Sequence, residues 1–340
     1  MPYTNPVYLR DFADIGILRR PEGYYAYASQ GQTAAGMHNI QCAFSPDLVH
    51  WQPGPDALPA KAAWAPAQEY WAPDVVEVAA NDYRLFFNAQ VAGSGQGIGV
   101  ARAAQPEGPF EVVGGPLIDG PRYRHIDPKA FQNPLDRRWY LIWGSCYEPI
   151  LIKELRPDLL GFLDPHSPPL ELLRPNPGSA ATALYEAAWM TARFDPDQGK
   201  YYFYLYTSGP DAFGDETYSV RVARSELGPT RGFVTLTEAT GSNDSAIYGS
   251  NAAFVNPGAS AITTDAAGQE WLISHATLRA DIPEYSQLRR DPASLWQRLR
   301  YTRRVMILDP IRYRAGWPYI PGNSPSLHRQ NGPIIMPGSA

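Results

Sequence analysis

Four carboxylates occupy a similar place in the sequence, each a short distance before a run rich in aromatic residues. They are Asp14 in "DFADIGIL", Asp74 in "YWAPDVVEV", Asp127 in "RHIDPKAF" and Glu186 in "LYEAAWM", and the aromatic runs begin 9 to 15 residues later. If such apolar-flanked acids converge on one cavity, like charges and desolvation drive their pKa values apart. The set could then supply an ionised base and a protonated acid, as general acid–base catalysis requires.

A structural role is the alternative for each acid. Pro-Asp at 73–74 and Asp-Pro at 127–128 are common in turns, and one acid taken alone in such a setting more often forms a turn or a cap. For Asp74 we keep this interpretation, because "WAPD" is typical of a turn that precedes a strand and presents Trp71. The shared position ahead of the aromatic runs favours catalysis for Asp14, Asp127 and Glu186.

The elements that must position these acids form a repeat. Five aromatic-rich runs, each followed by a polar loop and a second run closing in a turn, begin at Tyr25, Tyr83, Trp139, Tyr201 and Trp271, with spacings of 58, 56, 62 and 70 residues. The 34 prolines, 29 glycines and 12% aromatic residues also indicate many short strands joined by turns. The repeat predicts an all-β fold, a five-bladed β-propeller that spans residues 1–340 as a single domain, with the acids on the innermost strands.

A helical pattern interrupts the fifth unit. In "PEYSQLRRDPASLWQRLRYTRR" the residues Leu288, Leu295, Trp296 and Leu299 could form an apolar stripe, which Pro292 interrupts. The pattern predicts a short helical insertion in the fifth blade that packs on the body or shapes an entrance.

Charge and motifs exclude several classes of function. The net charge of −5 and pI near 5.7 argue against a nucleic-acid partner, and the basic segment "RLRYTRRV" at 298–305 is typical of a solvated face. Two cysteines without CxxC spacing predict neither a disulfide framework nor a zinc site. No HExxH, GxSxG or P-loop motif occurs, and "GSGQGIG" at 93–99 joins two strands as a hairpin loop.

Targeting signals are also missing from the sequence. The first residues, "MPYTNPVYLRDF", lack a basic and apolar leader, and 18 consecutive apolar residues occur nowhere. We therefore expect a cytoplasmic protein without a membrane partner.

These segments, in this order, resemble glycoside hydrolase family 43, five-bladed propeller enzymes that act on arabinose- and xylose-containing glycans. The resemblance runs from "NPVYLRDFADIGIL" through "SPDLVHW", "YWAPDV", "HIDPKAF" and "YEAAWM" to "AGWPYI". It implies that Asp14 is the general base, that Glu186 is the general acid, and that Asp127 orients this acid and raises its pKa. It also implies that Trp71 and Ala72 belong to the sugar-binding wall.

The resemblance implies hydrolysis by single displacement with inversion, for which the two carboxyls stand roughly 6.5 to 9.5 Å apart. A related retaining fructan-type hydrolase would instead need roughly 5 to 5.5 Å. Two positions depart from the family pattern: Asp14 is followed by Ile15 rather than proline, and Ala259 stands where a histidine near a channel-bound calcium is usual. We therefore expect no required cofactor and a doubtful structural calcium, with His275 only a weak metal candidate.

The leading hypothesis is an inverting hydrolase that releases terminal pentose, an α-L-arabinofuranosidase. β-Xylosidase and endo-1,5-α-L-arabinanase remain alternatives within the family. Exo action on a small oligosaccharide is expected because a cytoplasmic enzyme meets imported short chains. From other classes, a propeller that binds glycans without cutting them and a scaffold for protein partners are further alternatives, and the sequence leaves the oligomeric state open.

Overall fold

The computed structural model describes residues 1–335 except 94, 147, 180–181, 211–215, 243 and 289, and only the backbone of residues 292, 295, 296 and 300. The chain begins with β1 (Pro2–Tyr3), β2 (Gly16–Arg20), β3 (Gly23–Ala28), β4 (Gly31–Thr33), β5 (Gly36–His38), β6 (Gln41–Ser45), β7 (Gln52–Asp56), β8 (Trp71–Ala79), β9 (Asp82–Val91), β10 (Gly95–Ala103), β11 (Glu111–Val112), β12 (Ile118–Gly120), β13 (Lys129–Gln132), β14 (Trp139–Trp143), β15 (Ile150–Glu154) and β16 (Leu170–Leu173).

The second half is β17 (Glu186–Asp195), β18 (Lys200–Gly209), β19 (Ser219–Ser225), β20 (Val234–Thr235), α1 (Leu236–Thr240), β21 (Ala246–Tyr248), β22 (Phe254–Thr264), β23 (Glu270–Leu278), α2 (Tyr285–Leu288), α3 (Pro292–Arg300), β24 (Arg304–Pro310), β25 (Arg312–Arg314), β26 (Trp317–Tyr319) and β27 (Gln330–Asn331). Short 3₁₀ turns lie at Arg279–Asp281 and Pro321–Asn323.

The strands form five antiparallel blades. Blade 1 has the order β2-β3-β6-β7, blade 2 runs from β8 to β11 with β12 beside β10, blade 3 runs from β13 to β16, blade 4 runs from β17 to β20 with β21 beside β19, and blade 5 has the order β22-β23-β24. The first strand of each blade contacts the first strands of both neighbouring blades, and β22 contacts β2. The five inner strands therefore surround one axis, and the predicted five-bladed β-propeller is confirmed.

The N-terminal segment extends blade 5. The N–H of Val7 donates to Met306 O at 2.9 Å, and the N–H of Met306 donates to Tyr8 O at 3.0 Å, so the N-terminal segment lies beside β24. β1 also pairs with β27 near the C-terminus. From this place beside blade 5, the N-terminal segment continues into β2, the first strand of blade 1.

The core lies between adjacent blades, because each sheet is covered on both faces. One buried apolar cluster fills each of the five blade–blade contacts; Tyr27 and Phe87, for example, lie between blades 1 and 2, and Trp143 lies between blades 2 and 3. Burying an aromatic side chain of this size contributes roughly 1.5–3 kcal/mol. The aromatic runs seen in the sequence thus pack between neighbouring blades.

The helical insertion lies where the sequence predicts it, between β23 and β24 of blade 5. Ile282, Tyr285 and Leu299 are buried against Val255 of β22, and Leu288 packs at the edge of this cluster. The insertion therefore packs on the body of the propeller. The side chains of Leu295 and Trp296, the other members of the expected stripe, lie outside the described residues.

Two smaller expectations can also be compared with the structure. The glycine-rich segment at 93–99 connects the antiparallel strands β9 and β10, which confirms the hairpin. No helix in the described part of the chain is long and apolar enough to cross a membrane.

Candidate active site

One left-handed residue recurs at the same place on every innermost strand. The five are Asp14, Ala72, Asp127, Ala187 and Ala259, with φ of 58°, 47°, 58°, 51° and 45°. On β8, β17 and β22 the residue lies in an irregularity of the strand register, and in blades 1 and 3 it lies two residues before the first paired residue. A non-glycine residue in this conformation costs of order 1–3 kcal/mol, and such strain is concentrated at functional sites.

The backbone N–H of each left-handed residue donates to a side chain. In four of the five blades this side chain belongs to the second strand of the preceding blade or directly follows that strand. Ala72 N donates to Ser29 Oγ at 2.9 Å, Asp127 N to Asn88 Oδ1 at 3.2 Å, Ala259 N to Ser208 Oγ at 2.8 Å and Asp14 N to His275 Nδ1 at 3.1 Å. We call this set of bonds the axial ring. It fixes the backbone from which the candidate acids project.

The ring changes between blades 3 and 4, where glycine replaces the bonding side chain. Gly144 holds the position equivalent to Ser29, since both donate their N–H to the matching inner-strand carbonyl. It has φ of 120°, and an added Cβ would lie 2.3 Å from Pro149 O. The N–H of Ala187 donates to Asp127 Oδ2 instead, at 2.9 Å. The missing side chain at Gly144 therefore leaves this N–H to orient the carboxylate of Asp127.

The axial ring also shows that the three acids do not hold equivalent positions in their blades. Asp14 and Asp127 hold the left-handed position, whereas Glu186 precedes it, as Trp71 does in blade 2. The aromatic residues used as markers are equivalent only in part. By strand register, Tyr25 and Trp271 correspond to Arg84, Tyr140 and Tyr204, and not to Tyr83, Trp139 and Tyr201.

Asp14 lies in a setting that favours the ionised carboxylate. Arg304 Nη1 donates to Oδ1 at 3.0 Å, and Ser29 Oγ donates to Oδ2 at 2.6 Å. Burial opposes ionisation, but the charge of Arg304 and the Ser29 hydrogen bond outweigh it, so the pKa of Asp14 lies below its usual value. Asp14 can therefore accept a proton from water.

Glu186 and Asp127 lie close together in a setting that favours the protonated carboxyl, in contrast to Asp14. Burial, and for Asp127 the charge of Glu186, raises the pKa of Asp127 to about 8 and the pKa of Glu186 to about 7. Carboxyls that interact this strongly titrate as a pair, so near neutral pH the two share one proton. The charge of Asp14 raises both values further.

Hydrogen-bond partners favour Glu186 as the protonated member, although the higher pKa falls on Asp127. Asp127 accepts from the N–H of Ala187, a group that can only donate. Glu186 contacts hydroxyls, Ser145 Oγ at 3.1 Å and Tyr218, and a hydroxyl can also accept the proton of a carboxylic acid. The site thus accommodates an ionised Asp127 beside a protonated Glu186.

Several site residues were missed or misjudged from the sequence. Arg304 belongs to the basic segment that we expected to be a solvated face, and this was wrong for Arg304, although Arg298 and Arg303 form partly exposed ion pairs with acids of the insertion. Cys146 is a free thiol whose pKa is raised to about 12 by burial and the charge of Glu186. Ser29 and Tyr218 showed no sequence signal, because Ser29 directly follows β3 and Tyr218 directly precedes β19, away from the segments that carry the acids.

Asp74 has a structural role, as expected, but it does not form a turn. It lies within β8, is 2% exposed and accepts the N–H of Ala130 in blade 3 at 2.7 Å. Burial raises its pKa. Asp74 therefore joins two inner strands.

An aromatic surface lies beside the axial ring in blade 2. The rings of Trp71 and Tyr123 are parallel within 8° with centroids 6.5 Å apart, and Arg122 lies over Tyr123 at 4.9 Å. Arg122 also pairs with Glu69. Ala72 is 2% exposed, and its backbone N–H donates to Ser29 Oγ in the axial ring. That Trp71 and Ala72 contact sugar stays a prediction.

The described residues do not fit a calcium ion beside His275. Nδ1 of His275 accepts the N–H of Asp14, so in the neutral imidazole the proton is on Nε2 and neither nitrogen offers a free lone pair. Burial lowers the pKa of His275 to about 3, which keeps the ring neutral. No cluster of three or more potential ligands occurs among the residues that the structure describes, whereas calcium takes 6–8 oxygen ligands.

Residues 3–318 match the family described as Glycosyl hydrolases family 43. The chain belongs to this family. Among curated relatives of this family 43 chain, a β-D-galactofuranosidase of Aspergillus niger is 30% identical over 241 residues, which are 66% of this chain and 64% of that protein.

A second relative is the extracellular endo-α-(1→5)-L-arabinanase 2 of Bacillus subtilis, 32% identical over 178 residues, or 48% of this chain and 36% of that protein. The family 43 chain thus matches less than two thirds of the length of either relative.

Solved structures support the same fold. A thermostable family-43 glycoside hydrolase has a TM-score of 0.74 at 21% identity, with 98% of this chain and 99% of that chain covered. An exo-1,5-α-L-arabinanase from a bovine ruminal metagenomic library has a TM-score of 0.68 at 20% identity, with 94% and 99% covered. At these identities the likeness concerns the propeller fold alone.

Proposed function

We propose that this family 43 chain is an inverting glycoside hydrolase that releases a terminal furanose, with α-L-arabinofuranosides as its first substrate. The observation that carries the proposal is the contrast within one site. Asp14 is held ionised by Arg304 and Ser29, while the Asp127–Glu186 pair retains a proton. Two carboxyl groups with opposite protonation are what glycoside hydrolysis uses.

In the proposed reaction Asp14 removes a proton from a water molecule as that water attacks the anomeric carbon. Glu186 gives its proton to the departing glycosidic oxygen on the other side of the sugar ring. Asp127, fixed by the N–H of Ala187, stays negative beside Glu186 and disfavours its ionisation until the bond breaks. Arg304 stabilises the negative charge of Asp14 before the attack.

Inversion is supported by the places of the two groups in the fold. Asp14 comes from blade 1 and Glu186 from blade 4, which are not neighbouring blades. The axis of the propeller therefore lies between the proposed base and the proposed acid, as attack from the opposite side of the sugar requires. Following the product anomer by NMR tests this, since an initial product with the substrate's configuration would reject single displacement.

Exo action is supported by the rim beside Trp71. Gln30, which follows the second strand of blade 1, bonds the side chain of Gln68 and the N–H of Glu69, and Glu69 pairs with Arg122 before blade 3. These bonds join the loops of three blades into a continuous wall on this side. A wall of this kind suits a chain end better than the middle of a polymer.

The choice of sugar rests on the relatives. One is named for galactofuranose and the other for arabinan; β-D-galactofuranose and α-L-arabinofuranose share their ring configuration and differ in the exocyclic carbon. Nitrophenyl α-L-arabinofuranoside, β-D-galactofuranoside and β-D-xyloside, assayed with linear arabinan, separate the candidates. Cleavage of arabinan alone would favour an endo-arabinanase, and sugar binding without turnover on any substrate would favour a glycan-binding propeller.

A further inference from the structure

A buried lysine lies in the axial channel, directly beneath the candidate acids. Lys129 is the second residue after Asp127 on the innermost strand of blade 3, and it is 5% exposed. Its Nζ donates to Pro73 O at 2.9 Å and to Ile15 O at 3.4 Å. These carbonyls belong to the residues that follow the left-handed residues of blades 2 and 1, so one ammonium group joins three inner strands.

The other blades leave the axis to this side chain. Two residues after the left-handed position stand Gly16 in blade 1, Asp74 in blade 2, Trp189 in blade 4 and Ala261 in blade 5. The ammonium lies 5.4 Å from the ring centroid of Trp189. A Cβ on Gly16 would lie 2.4 Å from Pro73 O, one of the two carbonyls that bind Lys129. Among the five equivalent positions, Lys129 therefore supplies the one basic side chain.

The charges around Lys129 are mainly negative. Asp74 and Asp14 attract it from the inner strands of blades 2 and 1, and Asp127 does so from its own blade. Glu186 interacts with Asp127, while Arg304 and the neutral His275 contact Asp14. Burial lowers the pKa of Lys129, and these three aspartates oppose that effect. A buried ammonium surrounded in this way compensates charge that is costly to leave unpaired.

A cavity lies further along the inner strands than Lys129, on the side away from the candidate acids. It has a volume of about 250 Å³, and its lining includes Asp74, Ala130 and Trp189 together with later residues of β2 and β8. The inner strands run from the acids past Lys129 to this cavity. The ammonium therefore lies at the floor of the candidate active site.

We propose that the ammonium group of Lys129 is the built-in cation of the axial channel, which stands in for a bound metal ion and favours the ionised form of Asp127 opposite a protonated Glu186. Lys129 is thus a positioning residue that acts through Asp127 and has no contact with the sugar. The effect on catalysis rests on the proposed function, whereas the effect on stability does not. The donor-only contacts of Lys129 with carbonyl oxygens match the contacts that a small cation would make.

The test compares Lys129→Met and Lys129→Arg with Lys153→Met. Lys153 is a matched control because it also donates to two carbonyls, Pro165 O and Ser167 O, and lies over the ring of Phe162, but on an outer strand. On nitrophenyl arabinofuranoside we expect Lys129→Met to lose at least tenfold in kcat with little change in KM. Its pH optimum should rise by about one unit, since loss of a nearby positive charge raises the pKa of a carboxyl. Lys129→Arg should keep part of the activity, and Lys153→Met should keep the profile.

Thermal unfolding without substrate gives an independent result. The loss of Tm in Lys129→Met should be larger at pH 7.5 than at pH 4.5, because the carboxylates that it leaves uncompensated are charged at the higher pH. Lys153→Met should show equal losses at both. If Lys129→Met does not fold, Lys129→Gln carries the same comparison.

Two outcomes would overturn the inference. One is an equal loss of Tm at both pH values for Lys129→Met. The other is a wild-type enzyme that EDTA inactivates and calcium restores, because a resident ammonium leaves no need for the metal. If the wild type cleaves no glycoside while the Tm result holds, the proposed function fails and the channel cation stands.

Discussion

The carboxylate of Asp127 accepts the backbone N–H of Ala187, the residue that follows Glu186, at 2.9 Å. The two acids of the pair are therefore joined through one peptide unit, and neither can shift without the other. Gly144 makes this possible, since it offers no side chain to that N–H.

Replacing Glu186 by Gln should affect substrates according to their leaving groups. Without the acid, hydrolysis of an arabino-oligosaccharide should fall by roughly 10²–10⁴-fold, the range that general acid catalysis contributes. A nitrophenyl substrate, whose leaving group needs little protonation, should lose much less. Steady-state kcat/KM on both substrates measures this, and an equal loss on both would mean that Glu186 is not the acid.

Replacing Asp14 by Asn should remove activity on both kinds of substrate alike, because the water still needs a base when the leaving group is good. We expect a loss of roughly 10²–10⁴-fold in kcat. Asp136→Asn, in an exposed turn, serves as the control. A nitrophenyl rate that survives in Asp14→Asn would show that the base lies elsewhere.

The pH profile should be a bell with a broad acidic side. The pKa of Asp14 lies below its usual value, so this base should stay ionised far into the acidic range. Activity should therefore decline gradually as the pair takes up its second proton and Asp127 becomes neutral, and it should end only when Asp14 is protonated. The pair that holds the other proton has pKa values of about 8 and about 7, so activity should fall as the pH rises through that range. Initial rates between pH 3 and 9 measure both limbs, and a basic limb below pH 6 would contradict the shared proton.

Stability should respond to Glu186→Gln in a pH-dependent way. A carboxyl whose pKa is raised in the folded state stabilises the fold below its unfolded pKa, and this contribution is lost as the pH rises through about 7. The neutral amide avoids that loss, so the variant should gain about 1–2 kcal/mol relative to wild type at pH 8.5 and little at pH 5. Denaturant titration at both values measures the difference, and no change with pH would mean that Glu186 does not retain its proton.

Ser29→Ala should change both stability and the acidic limb. Ser29 Oγ donates to Asp14 and accepts from the N–H of Ala72, so its loss should cost about 1–3 kcal/mol and move the acidic limb to higher pH. Ser225→Ala, which removes a buried hydroxyl bond to Arg231 O far from the acids, should cost stability without moving the limb. Identical pH profiles for the two variants would argue against control of Asp14 by Ser29.

The propeller could be predicted from the sequence because each blade contains an aromatic run, whose side chains fill the space between blades. The distance from that run back to the inner strand could not be predicted, because it differs from blade to blade. Blade 4 has two ten-residue strands, whereas blade 3 has strands of four and five residues at the same place. Counting from Tyr201 or Trp139 therefore misplaces the inner strand by one to three residues.

The acids themselves could be found because each lies in a segment that resembles the corresponding segment of family 43. Their supporting groups could not, because Arg304, Ser29 and Tyr218 come from other parts of the chain, and only the closed ring of blades brings them to the acids. Lys129 was overlooked for another reason. It directly follows Asp127 and Pro128 in the sequence, but a lysine in a short strand is usually exposed, and its burial depends on carbonyls contributed by blades 1 and 2.

The junction that closes the propeller also delivers Asp14. The segment before Asp14 runs beside β24, where Phe12 N donates to Arg304 O at 2.8 Å. Separating this segment from β24 would part the proposed base from Arg304, which pairs with it. Local opening at this junction should therefore abolish the proposed activity even while the other blades stay folded.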